Sequence, residues 1–351
     1  PILLAVFAVG AAAVWAAGGR LSDASDVLAR HLGLGQALGG LILLAIATNL
    51  PEIAITASAA LGRNLELAVG NILGGIALQT VVLVVLDVFG LGSSDPLTYR
   101  AASLVLALEG LLVIAVLTVV VMASQLPPTL IFARLTPDVL LIVVFWVAGV
   151  WLVGKARRGL PWQERPERPD LADDGDAADD RPSGRGKDAD DCEQGVGRNA
   201  AIFAAAAVVT LIGGVVLEQS GEVIAGRFGM RGVVFGATVL AAATALPEIS
   251  TGLAAVRLAD YRLAMSDIFG GNAFLPVLFL LASVLSGEAV LARAEATDIY
   301  LTALGALLTA VYMFGLVFRL RMQIARMGID SLIVLVLYLL GIAGLVAIAH
   351  G

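Results

Sequence analysis

GLILLAIATNLPEIAITASAALGRNLELAVGNILGGIALQT, residues 40–80, decides how the chain is built, because the stretch occurs twice. Residues 236–276 read GATVLAAATALPEISTGLAAVRLADYRLAMSDIFGGNAFLP. Shifted by 196 positions without a gap, the copies agree at 16 of 41 residues. Each sets Thr-x-x-Pro-Glu in an otherwise apolar run: Thr48, Pro51 and Glu52, then Thr244, Pro247 and Glu248. A carboxylate at bilayer depth is costly, and such residues mark ion or substrate pathways. Two of them, fixed by a duplication, point to one functional site.

Composition sets the medium. The 351 residues are 59% hydrophobic with a mean hydropathy of +0.93, far more apolar than a soluble domain of this length requires. The class is a polytopic membrane protein, with the lipid bilayer as its surroundings. Net charge is −7, but twelve acids against five bases between Trp162 and Glu193 already give −7, so the remainder is near neutral. No basic face is available for nucleic acid. The single cysteine, Cys192, excludes an internal disulfide. The apolar stretch from Pro1 lacks a charged n-region and a small-residue cleavage site, so the chain is expected to start inside or just before its first membrane helix.

Ten apolar segments are long enough to span: 1–18, 36–61, 66–90, 100–123, 137–156, 199–219, 232–257, 262–286, 295–318 and 328–350. Residues 157–198 are charged, contain Pro and Gly, and almost lack large apolar side chains, which predicts a disordered linker. The expected domains are a first five-helix half, 1–156, the linker 157–198, and a second half, 199–351. Odd-numbered connections hold Arg20, Arg30, Arg100, Lys155, Arg157, Arg158, Arg257, Arg262, Arg319, Arg321 and Arg326. Even-numbered ones hold only Arg63, Arg134, Arg227, Arg231 and Arg293. The positive-inside rule then predicts a cytoplasmic linker and two external termini in the cytoplasmic membrane. Five spans per half make the copies enter from opposite faces. The predicted fold is all-α, ten transmembrane helices in two inverted five-helix repeats, as in many secondary transporters.

Pro51 and Pro247 lack an N–H, so the carbonyls of Ala47 and Ala243 lose their helical partners. Such backbone is tolerated in a bilayer only inside protein or along a cavity. Thr48 precedes Glu52 by four residues, and Thr244 precedes Glu248 likewise, so hydroxyl and carboxylate share a helix face. Carbonyl, hydroxyl and carboxylate oxygens together suit a hard cation. On the next helices Asn71, Gly75 and Gln79 recur every four residues, as do Asp267, Gly271 and Leu275. Gly70/Gly74 and Ser266/Gly270 are small-xxx-small pairs that allow close helix approach. Asn71, Gln79, Asp267 and Asn272 are therefore expected along the same cavity.

These residues resemble the sodium/calcium exchanger superfamily, the cation/Ca²⁺ antiporters, whose two alpha-repeats run roughly A-x-G-T-S-x-P-E and then G-N-x-x-G-S-x-x-x-N/D. The resemblance covers both repeats, 40–80 and 236–276, and the ten-helix layout. It implies exchange of Ca²⁺ against Na⁺ or H⁺ by alternating access, with Glu52 and Glu248 as the metal-binding pair. It assigns Thr48 and Thr244 as ligands and Ala45 and Ala241 as carbonyl donors. The pattern departs where Asn49 and Ala245 replace Ser after Thr, where Gly75 and Gly271 replace Ser, and where Gln79 and Leu275 take the distal Asn/Asp position. Asp267 stands opposite Asn71, and it cannot stand in for the ligand lost at Leu275, which lies about 12 Å further along a helix. Asn49 remains a candidate ligand through its amide. Na⁺ coupling loses its hydroxyls, so proton coupling through two neighbouring carboxylates is the alternative.

Competing readings are set by the same residues. Thr48 and Thr244 can bond back to helix carbonyls, and Glu52 and Glu248 can be structural. Asp87, Glu109 and Asp298 have no repeat partner and are read as paired or interfacial. Glu218 and Glu222 are placed at an outer vestibule. The run Asp173, Asp174, Asp176, Asp179 and Asp180 lacks an EF-hand pattern and reads as solvated linker. An intramembrane hydrolase is disfavoured, since H-E-x-x-H and G-x-S-x-G are absent and neither His31 nor His350 is near the motif. A non-transporting, ion-sensing paralogue is the third reading. The expected partners are inorganic cations with no resident cofactor, and the oligomeric state is left open, compatible with a monomer.

Overall fold

Residues 65–90 and 104–123 are mostly Leu, Val, Ile and Ala and contain no proline, and such long apolar runs satisfy their backbone in lipid as helices. The computed structural model describes residues 2–31, 46–91, 95–127, 134–157, 159 and 189–350. In the first half α1 is Ile2–His31, α2 Leu50–Leu61, α3 Leu65–Gly90, α4 the short Leu97–Ala101, α5 Leu104–Ala123 and α6 Pro137–Arg157. The second half opens with α7, Ala189–Phe228. Then come α8, Gly232–Phe235, a π-turn, Gly236–Leu240, α9, Ala241–Thr244, and α10, Leu246–Arg257. It closes with α11, Tyr261–Phe274, α12, Leu278–Ser286, α13, Ala296–Phe318, and α14, Ile329–His350. A two-residue hairpin, β1 Gln323–Ile324 against β2 Met327–Gly328, joins the last two helices.

Among the described residues eight helices are long and apolar enough to span, and the pair Gly232–Thr244 and Leu246–Arg257, bent by 43°, makes a ninth. The tenth expected span, 36–61, is described only from Ile46 onward, so the rest of it lies outside the described residues. Residues 160–188 of the expected linker, including the Asp173–Asp180 run, also lie outside them. Helix α7 begins at Ala189, inside the polar stretch read as linker.

The duplication is visible in small devices. Asn64 caps α3 by accepting from the Leu67 N–H, and Asp260, 196 residues on, caps α11 by accepting from Leu263. α3 is the most enclosed span, 72% buried, and the α11–α12 span is 67% buried, whereas α1, α6, α7 and α14 lie between 22% and 28% and turn their apolar faces to lipid. α1 packs along α7, its repeat counterpart. α3 crosses the start of the other repeat in backbone contact: a Cβ at Gly74 would fall 2.1 Å from Ala237 Cα, and one at Gly70 2.6 Å from the Val233 carbonyl oxygen.

Candidate functional site

The Thr-x-x-Pro-Glu motif breaks its helix two residues before the proline, the expected place. Asn49 and Ala245 are the break residues, with φ/ψ of −89°/12° and −79°/−1°. New helices start at Leu50 and Leu246, so Pro51 and Pro247 sit in a first turn, where a missing N–H costs nothing. Glu52 and Glu248 fall in the same first turns, where free N–H groups and the helix dipole favour an anion. Both glutamates are sealed from the surface, at 0% and 2% exposure.

The two copies face each other. Glu52 lies beside the Thr244 hydroxyl and the Gln79 amide, yet neither carboxylate oxygen makes a hydrogen bond of normal geometry. Gln79 Nε2 points at Glu248 Oε1 across 3.5 Å. Glu248 has Glu52 and Asp267 as its acidic neighbours, and among the described residues no Lys or Arg acts on either glutamate. Asp267 accepts from the Thr251 hydroxyl at 3.2 Å, and that hydroxyl also lies 3.2 Å from the Glu248 carbonyl oxygen. Asn49 Nδ2 lies 3.5 Å from Thr48 Oγ1. Among the described residues no three His, Cys, Asp or Glu side chains stand close enough to hold a metal alone. A cation held here needs amide, hydroxyl and carbonyl oxygens as well, a donor set that hard cations accept.

Comparison with known proteins decides the family. The profile of the family described as "Sodium/calcium exchanger protein" matches residues 2–155 and 198–347. The chain belongs to that family. This exchanger-family chain is therefore a secondary transporter of inorganic cations rather than an enzyme, and a multi-pass membrane protein. It is 26% identical over 289 residues to "Inner membrane protein YrbG" of Escherichia coli (strain K12), covering 81% of this chain and 80% of that one. Its fold is that of the H⁺/Ca²⁺ exchanger CAX, at TM-score 0.62 and 14% identity over 99% of this chain and 87% of the other. The sodium–calcium exchanger NCX_Mj aligns at TM-score 0.59 and 18% identity over 97% and 98%.

Of the residues expected at the exchanger-family site, Glu52, Glu248, Thr244, Gln79, Asn49 and Asp267 come together as described. Ala45 lies outside the described residues. The Ala241 carbonyl is engaged twice, by the Ala245 N–H at 3.0 Å and the Thr244 hydroxyl at 3.1 Å, the back-bonding that competes with ligation. Asn71 is fully buried with both amide atoms unpartnered. Asn272 is turned toward Thr80, donating to its hydroxyl at 3.1 Å. Thr251 was not expected; its place one turn after Glu248 is the signal that would have found it.

The acids without a repeat partner are all structurally engaged. Asp87 accepts from the N–H groups of Leu97, at 2.9 Å, and Gly328, at 2.6 Å, tying the end of α3 to the hairpin of the other half. Glu109 pairs with Arg157 at 2.5 Å, and the same guanidinium reaches Ser266 Oγ at 2.8 Å. Asp298 forms a capping box with Glu295 at the start of α13. Glu218 accepts from Ser58 at 2.8 Å, linking α7 to the helix that carries Glu52.

Proposed function

We propose that this exchanger-family chain moves Ca²⁺ out of the cytoplasm in exchange for Na⁺ or H⁺, binding the cation between Glu52 and Glu248. One observation carries the reading: two buried glutamates from oppositely inserted repeats lie side by side, and the Glu52 carboxylate has no hydrogen bond of normal geometry. Two anions without a counter-cation in a water-excluded place are unfavourable, and a divalent cation or protons relieve that. Since the coupling ion competes for the same carboxylates, cation and competitor do not occupy the site together, and alternating access delivers each to its own side. Thr244, Thr48, Asn49, Gln79 and Asp267 contribute the remaining oxygens.

Proton coupling is the second reading, favoured by Gly75, Gly271 and Leu275, which supply no hydroxyl or amide for Na⁺. The fold is shared with an H⁺/Ca²⁺ exchanger and a sodium–calcium exchanger alike, so this reading rests on those three residues. Flux into proteoliposomes separates the two. Ca²⁺ uptake driven by a pH gradient without Na⁺ rejects obligatory Na⁺ coupling, and loss of uptake without Na⁺ rejects the proton reading. Cation-dependent thermal stabilisation without any flux would instead identify an ion sensor. The orientation proposed for the cytoplasmic membrane has both termini outside and 157–198 inside, as the arginine distribution requires.

A further inference from the structure

We propose that the hairpin joining α13 to α14 is a binding site for an anionic phospholipid, whose phosphodiester is held by Arg319 and Arg321. Residues 319–327 read RLRMQIARM, so Leu320, Met322 and Ile324 alternate with Arg319, Arg321 and Gln323. The backbone is extended here: β1 pairs with β2, and the Ile329 N–H donates to the Met322 carbonyl at 3.2 Å. Alternate side chains of an extended segment leave by opposite faces. Leu320, Met322 and Ile324 stand between 43% and 58% exposed. Arg321, set among them, turns instead to Tyr99 of α4, with its guanidinium carbon 4.4 Å from the ring centroid and an N–H donated to the hydroxyl. Three bared apolar side chains on a connection between two spans are unfavourable against water and favourable against acyl chains. They continue the lipid-facing side of α13, where Phe314 and Phe318 are exposed and stacked with centroids 6.4 Å apart.

The positive charge gathers at the same level. Arg319 closes α13 and also covers the Tyr99 ring, at 5.2 Å, and its Nε is buried without a hydrogen bond. Arg100, next to Tyr99, stacks on Tyr261 at 5.2 Å and donates to its hydroxyl at 3.0 Å. Among the described residues neither Arg319 nor Arg100 forms an ion pair with a carboxylate. Two guanidiniums on one ring repel each other, and a phosphodiester between them is the planar, bidentate partner that arginine fits. Stacking on Tyr99 orders both arginines beforehand, which lowers the cost of binding. The hairpin beneath them is fixed as well, since the Gly328 N–H donates to Asp87 of α3 at 2.6 Å. The equivalent points of the first half are Ala123 and Gln125, so this charge belongs to the second half alone. A headgroup phosphate above two acyl chains satisfies both faces of the hairpin, the arginines by charge and the apolar row by burial.

Lipid retention by the detergent-purified full chain, read by native mass spectrometry, tests this. Dioleoylphosphatidylglycerol is expected to stay bound at concentrations where dioleoylphosphatidylcholine, with the same acyl chains, is lost. Millimolar glycerol 3-phosphate, which carries the phosphate without the chains, is expected to displace none of it. Arg319→Gln/Arg321→Gln is expected to weaken phosphatidylglycerol binding about thirtyfold. Arg257→Gln/Arg262→Gln, which removes the same charge from the ends of α10 and α11, stays within about twofold of the wild type. Retention of neither lipid, equal retention of both, displacement by glycerol 3-phosphate, or equal weakening by the two double variants overturns the site.

Discussion

Gly18 of α1 is seated on Pro247: a Cβ at residue 18 would lie 2.5 Å from the proline Cβ. The relation recurs 196 residues on, where a Cβ at Gly214 would lie 2.9 Å from the Pro51 carbonyl oxygen and 2.6 Å from Ala54 Cβ. Each repeat's first helix therefore lies in backbone contact with the helix break of the other repeat, next to a site glutamate. Overpacking such a contact costs about 1–3 kcal/mol. Gly18→Ala and Gly214→Ala are expected to lower the melting temperature and the flux together. Gly19→Ala, with nothing within 4 Å of its Cβ position, is the control that leaves both unchanged.

Glu52→Gln and Glu248→Gln keep the shape of the site and remove one charge each. Both variants should fold, lose Ca²⁺-dependent thermal stabilisation and lose flux. Retained stabilisation in either would move the cation away from the glutamates.

Asp87 bridges the halves by accepting from Leu97 and Gly328. Asp87→Ala leaves two N–H groups without their charged acceptor, and a loss of about 3 kcal/mol is expected. Thermal unfolding in detergent reads it; binding affinity for the cation should be unchanged.

Glu109 and Arg157 form an ion pair whose carboxylate side chain is only 8% exposed. Deleting one partner strands a charge and costs about 3–5 kcal/mol, whereas removing both costs less. Glu109→Gln is therefore expected to unfold at a lower temperature than the Glu109→Gln/Arg157→Gln double variant, a reversal of additivity that a double-mutant cycle measures.

Cys192 is the single cysteine, so it reports topology without further engineering. A membrane-impermeant maleimide should leave it unlabelled in intact cells and label it after permeabilisation. Labelling from outside would invert the proposed orientation.

The repeat, the paired glutamates and the membrane class were legible because they depend on local pattern: residue identity at a fixed offset and apolar run length. The helix break moved from the prolines to Asn49 and Ala245, since proline fits a helix's first turn as well as it kinks an interior. The sequence reads Glu109 and Asp87 as paired or interfacial, and their partners, Arg157 and Gly328, come from distant segments that no periodicity reveals. The seats of Gly18 and Gly214 obey the same 196-residue offset as the motif, so extending the alignment upstream would have flagged them. Thr244 shows how chemistry stays ambiguous in sequence: a hydroxyl one turn before a glutamate can face an ion or its own helix, and here it does bond to the Ala241 carbonyl.

Gln79 and Leu275 hold equivalent positions in the two copies, 196 residues apart. Two identical inverted copies would make the inward-open and outward-open conformers related by symmetry and equal in free energy. An amide toward Glu248 in one copy and a leucine against Gly75 in the other remove that degeneracy. Any preference between the two mouths then has its origin in such differences, since exact copies could have none.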